Sequence, residues 1–107
     1  MKMTMRQVNT TANGLIKALE ADLELNDNVA RMWADGSNPL TANASYEKRR
    51  EEIDNLINKH NEDVDRVHHL LMTLYITACE DYDSDKLTAM EEKALNLRMV
   101  DIYVIEG

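Results

Sequence analysis

The strongest constraint on the fold is a regular spacing of residues in the middle of the chain. Seam positions follow one another in alternating steps of four and three: Tyr46, Arg50, Ile53, Ile57, His60, Val64, Val67, Leu71, Leu74 and Ala78. A repeat of 3.5 residues is the spacing of coiled coils and helix bundles. The pattern therefore predicts one long helix of about 35 residues, roughly 52 Å in length, with Thr41, Asn43 or Ser45 as its N-cap.

The N-terminal part of the chain carries a second apolar stripe at helical spacing, formed by Met5, Val8, Ala12, Leu15 and Leu19. Polar residues 26–28 interrupt this stripe, so we expect the first helix to end near Leu25. A short helix capped by Asp27 should follow, with Trp33 in the core. The stretch from Asp35 to Pro39 contains Gly and Pro and predicts a firm helix stop.

The two expected helices differ in length, and this difference bears on assembly. A first helix of about 20 residues is roughly 30 Å long and cannot cover a seam of roughly 52 Å. We therefore predict an all-α fold, a small antiparallel helical bundle in one domain over residues 1–107, that forms homo-oligomers. The expected interface consists of Ile53, Ile57, His60, Val64, Val67, Leu71 and Leu74.

The C-terminal part is ambiguous between helix and strand. Residues 88–91 form a capping-box pattern, which predicts a helix through Leu95 and Leu97. Residues 100–105 are mostly β-branched or aromatic and favour a strand by residue type. Because no second strand is visible to pair with them, we expect the helix to continue through residues 99–105, with a strand as the open alternative.

Charge and cysteine content exclude several classes of function. The chain has 20 acidic and 12 basic residues and a net charge of −8, whereas binding to nucleic-acid phosphates requires a cationic surface. The basic run of residues 48–50 is surrounded by Glu47, Glu51, Glu52 and Asp54, and we interpret it as a solvated helix face. Cys79 is the only cysteine and is expected to be a buried thiol.

No segment approaches the about 18–20 apolar residues needed to cross a bilayer. The first six residues are followed by polar residues and not by the apolar segment of a signal peptide. We therefore expect a cytoplasmic protein without a membrane partner.

The most specific chemical pattern lies before the last helix. Counted from Asp81, carboxylates fall at positions 1, 3, 5 and 12, the ligand spacing of an EF-hand calcium loop. In this loop the chain resembles an EF-hand, and the resemblance implies calcium ligands at Asp81, Asp83, Asp85 and Glu92. Lys86 occupies the position where that family has Gly, and Thr88 the position of an apolar residue that pairs two loops. We prefer an acidic turn in which Asp85 or Thr88 caps the last helix.

Two other patterns suggest metal ligands. Asp65 and His68 are three residues apart and could bind one metal, but no matching pair occurs on another helix. The segment 51–54 resembles the second carboxylate pair of the all-α nucleotide pyrophosphohydrolases, which implies magnesium bound by Glu51 and Asp54. The first pair of that family is missing, because the upstream acids are spaced differently, at Glu20, Asp22 and Glu24.

The residues do not assemble a nucleophile, a base and a stabilising group, and three glycines do not form a phosphate-binding loop. We therefore expect a non-catalytic protein that binds a protein partner and needs no cofactor. In size, acidity and lack of catalytic motifs it is similar in type to small bacteriophage accessory proteins that bind and inhibit host factors; an acidic DNA mimic is a related hypothesis. The alternatives are a divalent-cation-binding helical protein that uses loop 81–92, and a magnesium-dependent nucleotide hydrolase.

Overall fold

A computed structural model describes residues 2–106, and within them the chain is an elongated all-α bundle of 55 × 19 × 16 Å. Its helices are α1 Met5–Asp35, α2 Pro39–Ala42, α3 Tyr46–Met72 and α4 Ser84–Leu95. Helix α3 continues directly into a π-helical segment, Thr73–Ala78. The predicted fold class and the long third helix are confirmed, since α3 and this segment form about 33 consecutive helical residues.

Helix α1 is longer than the sequence pattern indicated. It begins at a capping box, in which Thr4 Oγ1 accepts from the Gln7 N–H and Gln7 Oε1 accepts from the Thr4 N–H. It then runs through residues 26–28 without interruption, so the predicted end near Leu25 and the separate helix capped by Asp27 are both wrong. Tertiary contacts explain the difference: Asn26 and Asp27 use their side chains to bind other parts of the chain instead of capping a helix.

The connection between α1 and α3 follows the predicted stop signal. Gly36 ends α1 with φ 65°, and its N–H donates to the Met32 carbonyl oxygen at 3.2 Å. A Cβ at this position would lie 3.1 Å from Arg49 Nη2, so glycine is required by the backbone angle and by a close side chain. Ser45 caps α3 by accepting from the Lys48 N–H, and α3 returns antiparallel to α1.

Two apolar clusters form the core of this helical hairpin. The first joins α1, the second half of α3 and α4, with Val8, Ile16, Leu19, Val64, Leu71, Tyr75 and Leu87 among its buried members. The second lies near the connection and contains Ala30, Ala34, Ile53, Met99 and Tyr103, with Trp33 half-buried against it. Helix α1 therefore packs on α3 along most of the length of the molecule.

The predicted oligomer interface belongs to this core. Four of its residues have no exposed surface, namely Ile53, His60, Val64 and Leu71, and the other three are half-buried against the clusters, namely Ile57, Val67 and Leu74. Helix α1 has 31 residues, roughly 46 Å, and covers the seam within one chain. Self-association stays a prediction, but this argument for it no longer holds.

The C-terminal segment, which we define as residues 97–106, is neither helix nor strand. It runs along the hairpin with a tight turn at residues 100–102, where the Ile102 N–H donates to the Val100 carbonyl oxygen at 3.0 Å, and the Glu106 N–H donates to the Ala34 carbonyl oxygen at 2.8 Å. The predicted continuation of the helix is therefore wrong. A helix over residues 84–106 would span only roughly 35 Å, short of the roughly 46 Å of α1. Extended backbone rises about 3.3 Å per residue and lets the chain reach the far end of the hairpin.

Candidate functional site

The backbone of the C-terminal segment is held by polar side chains of α3, and Arg49 forms the strongest of these contacts. Its guanidinium donates three hydrogen bonds of 2.8 Å, to the carbonyl oxygens of Trp33, Ala34 and Glu106. Only 6 % of Arg49 is exposed, so the interpretation of residues 48–50 as a solvated face is wrong for this residue. The cation lies at the C-terminus of α1, where unpaired carbonyl groups and the helix dipole favour positive charge.

Two further side chains of α3, Arg50 and Asn61, continue this attachment. Arg50 donates to the Tyr103 carbonyl oxygen at 3.2 Å. Asn61 binds both backbone groups of Met99, since its Oδ1 accepts from the Met99 N–H and its Nδ2 donates to the Met99 carbonyl oxygen. The segment is thus fixed along its length by side chains and not by a β-ladder.

Buried His60 connects three parts of the fold. Its Nε2 lies 2.8 Å from the Leu97 carbonyl oxygen, which only accepts, so Nε2 carries the proton and donates. Its Nδ1 lies 3.1 Å from Asn26 Nδ2 and accepts from that amide. A neutral imidazole satisfies both contacts at once, and His60 therefore ties α1 to the start of the C-terminal segment.

The fixed backbone sorts the side chains of the segment into two rows. Met99 and Tyr103 face the core and are buried, and Ile105 packs beside them. The alternate residues Val100, Ile102 and Val104 are 63, 59 and 80 % exposed. These three residues, which we call the apolar row, present β-branched side chains to solvent. Asp101, between the first two, is also exposed, and Tyr103, between the last two, is buried.

A groove separates the apolar row from α1. It consists of two adjoining concavities of about 370 and 330 Å³ that share Ile102 and Tyr103. The wall formed by the C-terminal segment is mainly apolar. The wall formed by α1 carries charged side chains at steps of four and three, which places them on one helix face: Glu20, Glu24, Asp27, Arg31 and Asp35.

Asp27 and Tyr103 join the two walls of the groove. The Tyr103 hydroxyl donates to Asp27 Oδ1 at 2.5 Å, and Arg31 Nε donates to Asp27 Oδ2 at 2.9 Å. The hydrogen bond from Tyr103, followed by Arg31, lowers the pKa of Asp27 below its usual value despite partial burial. Burial, followed by the bond to Asp27, raises the pKa of the Tyr103 phenol. The Arg31 guanidinium also lies 5.7 Å from the centre of the Tyr103 ring.

The remaining carboxylates give the α1 wall a negative character. Arg31 is paired with Asp27, and Arg98, the other cation beside the groove, is paired with Asp65 on α3. Among residues 2–106, Glu20 and Glu24 have no ion-pair partner. The groove therefore combines an apolar wall with an acidic wall on which Glu20 and Glu24 form no ion pair among the described residues.

The calcium loop implied by the EF-hand resemblance does not form. Asp83 is the N-cap of α4 and accepts from the N–H groups of Asp85 and Lys86, so the predicted caps Asp85 and Thr88 are wrong. Because α4 begins at Ser84, the helix occupies positions that an EF-hand loop needs for its turn, and Glu92 lies two turns along it. Asp81 is exposed in the preceding turn.

The other candidate metal ligands are also drawn to separate partners. Asp54 pairs with Arg50, and His68 forms a short contact with Glu91 of α4. Glu51 is exposed on α3. Over the described range 2–106, no three His, Cys, Asp or Glu side chains converge as a metal site would require. Cys79 is buried, as expected, beside a backbone bridge to Met3.

The sequence signals for the groove were weak but present. Residues 100–105 are mostly β-branched or aromatic, which by residue type favours extended backbone over helix. Nothing in the sequence identified Arg49 or Asn61, because their partners are backbone groups 15 to 57 residues away. None of the helices in residues 2–106 is long and apolar enough to span a bilayer.

Comparison with known proteins gave no match, whether with protein-family models, curated proteins or solved structures.

Proposed function

We propose that this chain is a small, acidic, non-catalytic helical protein that binds a protein partner through the apolar row and the adjoining groove. The observation that carries the proposal is the exposure of Val100, Ile102 and Val104 on backbone that Arg49, Asn61 and their neighbours hold in place. A contiguous exposed apolar surface is a common mark of a binding site.

The way the row is held supports a role in binding. A flexible tail loses conformational entropy when it binds, whereas a fixed segment has already lost most of it on folding. The side chains of α3 fix the segment from Leu97 to Glu106, so the row is preorganised for contact with a partner. Folding thus keeps three large apolar side chains in water although Met99 and Tyr103 of the same segment are buried.

The composition of the groove favours binding over catalysis. Its lining contains carboxylates, two arginines and apolar side chains, and its phenol, Tyr103, is already bonded to Asp27. A nucleophile activated by a neighbouring base is not among the lining residues. An accessory or inhibitor protein that occupies a surface of its target would need only the row and the groove, which agrees with the small size of the chain.

Paired capture experiments test this proposal. The immobilised chain is compared with a variant that carries Val100→Ser, Ile102→Ser and Val104→Ser, and with a control that carries Leu25→Ser, Leu40→Ser and Leu70→Ser. The control removes three exposed apolar side chains elsewhere. We expect a partner that the wild type and the control retain and the row variant loses. A partner retained equally by all three, or capture of no specific protein, would contradict the proposal.

Self-association is the second candidate for this surface. With the seam buried inside one chain, the apolar row is an exposed apolar surface that could join two copies. Light scattering coupled to size exclusion separates the cases, because one chain has a mass of 12.3 kDa. A dimer that the row substitutions abolish would make a second copy the partner.

A further inference from the structure

We infer that the groove between α1 and the C-terminal segment binds a basic amphipathic helix of the partner protein. This inference rests on the proposed function and names the kind of partner segment. It follows from three properties of the groove: its length, the different chemistry of its two walls, and its uncompensated negative charge.

The groove is long enough for several turns of helix. Its two concavities share Ile102 and Tyr103 and follow one another along α1. Along α1 the lining extends from Glu20 to Asp35, which at 1.5 Å per residue is about 22 Å, or about four turns. A helix in this groove would lie between α1 and the C-terminal segment.

The two walls match the two faces of an amphipathic helix. Val100 and Ile102, with Leu23 of α1, supply apolar surface, against which apolar residues spaced three and four apart could pack. Glu20 and Glu24 are neighbours on α1, one turn apart, and face the same groove. Lysine or arginine side chains at the edge of the apolar stripe of the partner would reach these carboxylates.

The charge of the groove selects a cationic partner over an anionic one. The arginines beside it are paired with Asp27 and Asp65, and in the part of the chain that the structure describes Glu20 and Glu24 have no such pair. The net charge of −8 adds a long-range attraction for basic segments. Acidic helices and nucleic acids would meet repulsion.

A peptide titration tests the inference. The probe is a fluorescently labelled helical peptide of leucine and lysine, of about 18 residues so that it spans the groove, with the lysines on one face. Its binding is compared between the wild type, the variant Glu20→Gln/Glu24→Gln and the variant Glu51→Gln/Glu62→Gln. Both variants have the same net charge, and Glu51 and Glu62 are exposed on α3 outside the groove.

We expect about tenfold weaker binding for the Glu20→Gln/Glu24→Gln variant and less than about twofold weakening for the α3 variant. Val100→Ser/Ile102→Ser should weaken binding similarly to the groove carboxylate variant, and added salt should weaken binding to the wild type. Equal weakening in the two charge-matched variants would overturn the inference, because only bulk charge would then matter. Equal binding of a leucine–glutamate peptide would also overturn it.

The failure of this inference is distinguishable from the failure of the proposed function. If capture of a partner depends on the apolar row but peptide binding does not depend on Glu20 and Glu24, the partner segment is not a basic helix and only the inference fails. If a dimer forms through the row, a second copy occupies the surface and the inference fails as well. If no partner depends on the row, the proposed function itself fails.

Discussion

Arg49 and Glu106 are 57 residues apart in sequence, yet Arg49 Nη1 donates a 2.8 Å hydrogen bond to the Glu106 carbonyl oxygen. The same guanidinium binds the last turn of α1 through the carbonyl oxygens of Trp33 and Ala34. One buried side chain thus joins the end of α1, the start of α3 and the end of the described chain. The position of the groove and of the apolar row depends on this junction.

We predict that Arg49→Ala lowers the free energy of unfolding by about 3–5 kcal/mol, because it leaves buried carbonyl groups without a charged donor. Arg49→Lys should recover part of the loss, since one ammonium cannot reproduce the planar arrangement of three donors. Lys48→Ala, at an exposed pair with Glu52, should cost less than about 1 kcal/mol. Urea denaturation measures the free energy of unfolding of all three variants. Similar losses for Arg49→Ala and Lys48→Ala would refute the claim that Arg49 joins the ends of the fold.

We predict that His60→Ala costs about 2–4 kcal/mol, because it creates a cavity and leaves Asn26 and the Leu97 carbonyl without their partner. The C-terminal segment should also loosen, which hydrogen exchange would detect as faster exchange of the Met99 amide. Exposed His69→Ala serves as the control and should change stability by less than about 0.5 kcal/mol. Unchanged Met99 exchange in His60→Ala would show that His60 does not hold the segment.

The contact between Asp27 and Tyr103 predicts a pH dependence. Because the folded pKa of Asp27 is lowered, its contribution to stability is present above the usual value of 3.8 and is lost as the pH falls through the folded pKa. Tyr103→Phe removes the main cause of this shift. The stability difference between the wild type and Tyr103→Phe should therefore be present at neutral pH and diminish in acid.

At alkaline pH the wild type and Tyr103→Phe should differ in how much stability they lose. The raised pKa of Tyr103 stabilises the fold below the usual value of 10.0, and this contribution is lost above it as unfolded chains ionise first. The wild type should thus lose stability above about pH 10, and Tyr103→Phe should lose less. Tyr46→Phe, at an exposed tyrosine, is the control. A stability difference between the wild type and Tyr103→Phe that is constant at every pH would contradict the shifted pKa values of Asp27 and Tyr103.

The acidic loop should stabilise α4 and not bind calcium. Asp83→Ala removes the N-cap and should lower the free energy of unfolding by about 0.5–2 kcal/mol. This loss should be the same with and without about 1 mM calcium. An EF-hand site would instead raise the melting temperature of the wild type by about 10 °C. A rise above about 5 °C that Asp83→Ala abolishes would restore the calcium hypothesis.

The sequence predicted the features of the fold that depend on local spacing. The seam of α3, its Ser45 cap and the stop at Gly36 follow from periodicity and backbone preference. The predicted end of α1 near Leu25 is wrong because Asn26 and Asp27, taken alone, are typical of a helix break. Their partners, His60 and Tyr103, lie far away in sequence. Tertiary hydrogen bonds overrode the local signal.

The candidate site was harder to predict for the same reason. The sequence predicts Arg49 at the surface because charged side chains usually lie there. Its three partners are backbone carbonyl groups, which a residue pattern does not reveal. The extended C-terminal segment has no β-partner, and polar side chains such as Asn61 replace one. The groove exists only once α1 and this segment are placed side by side.

The most direct test of the account is an NMR titration of the isotope-labelled chain with the leucine–lysine peptide. We predict that the amide shifts change mainly along the two walls of the groove, at residues 20–27 and 97–104, while exposed α3 positions such as Glu51 and Glu62 stay unchanged. Changes concentrated on the outer face of α3, or spread evenly over all acidic surfaces, would contradict the claim that this groove is the binding site.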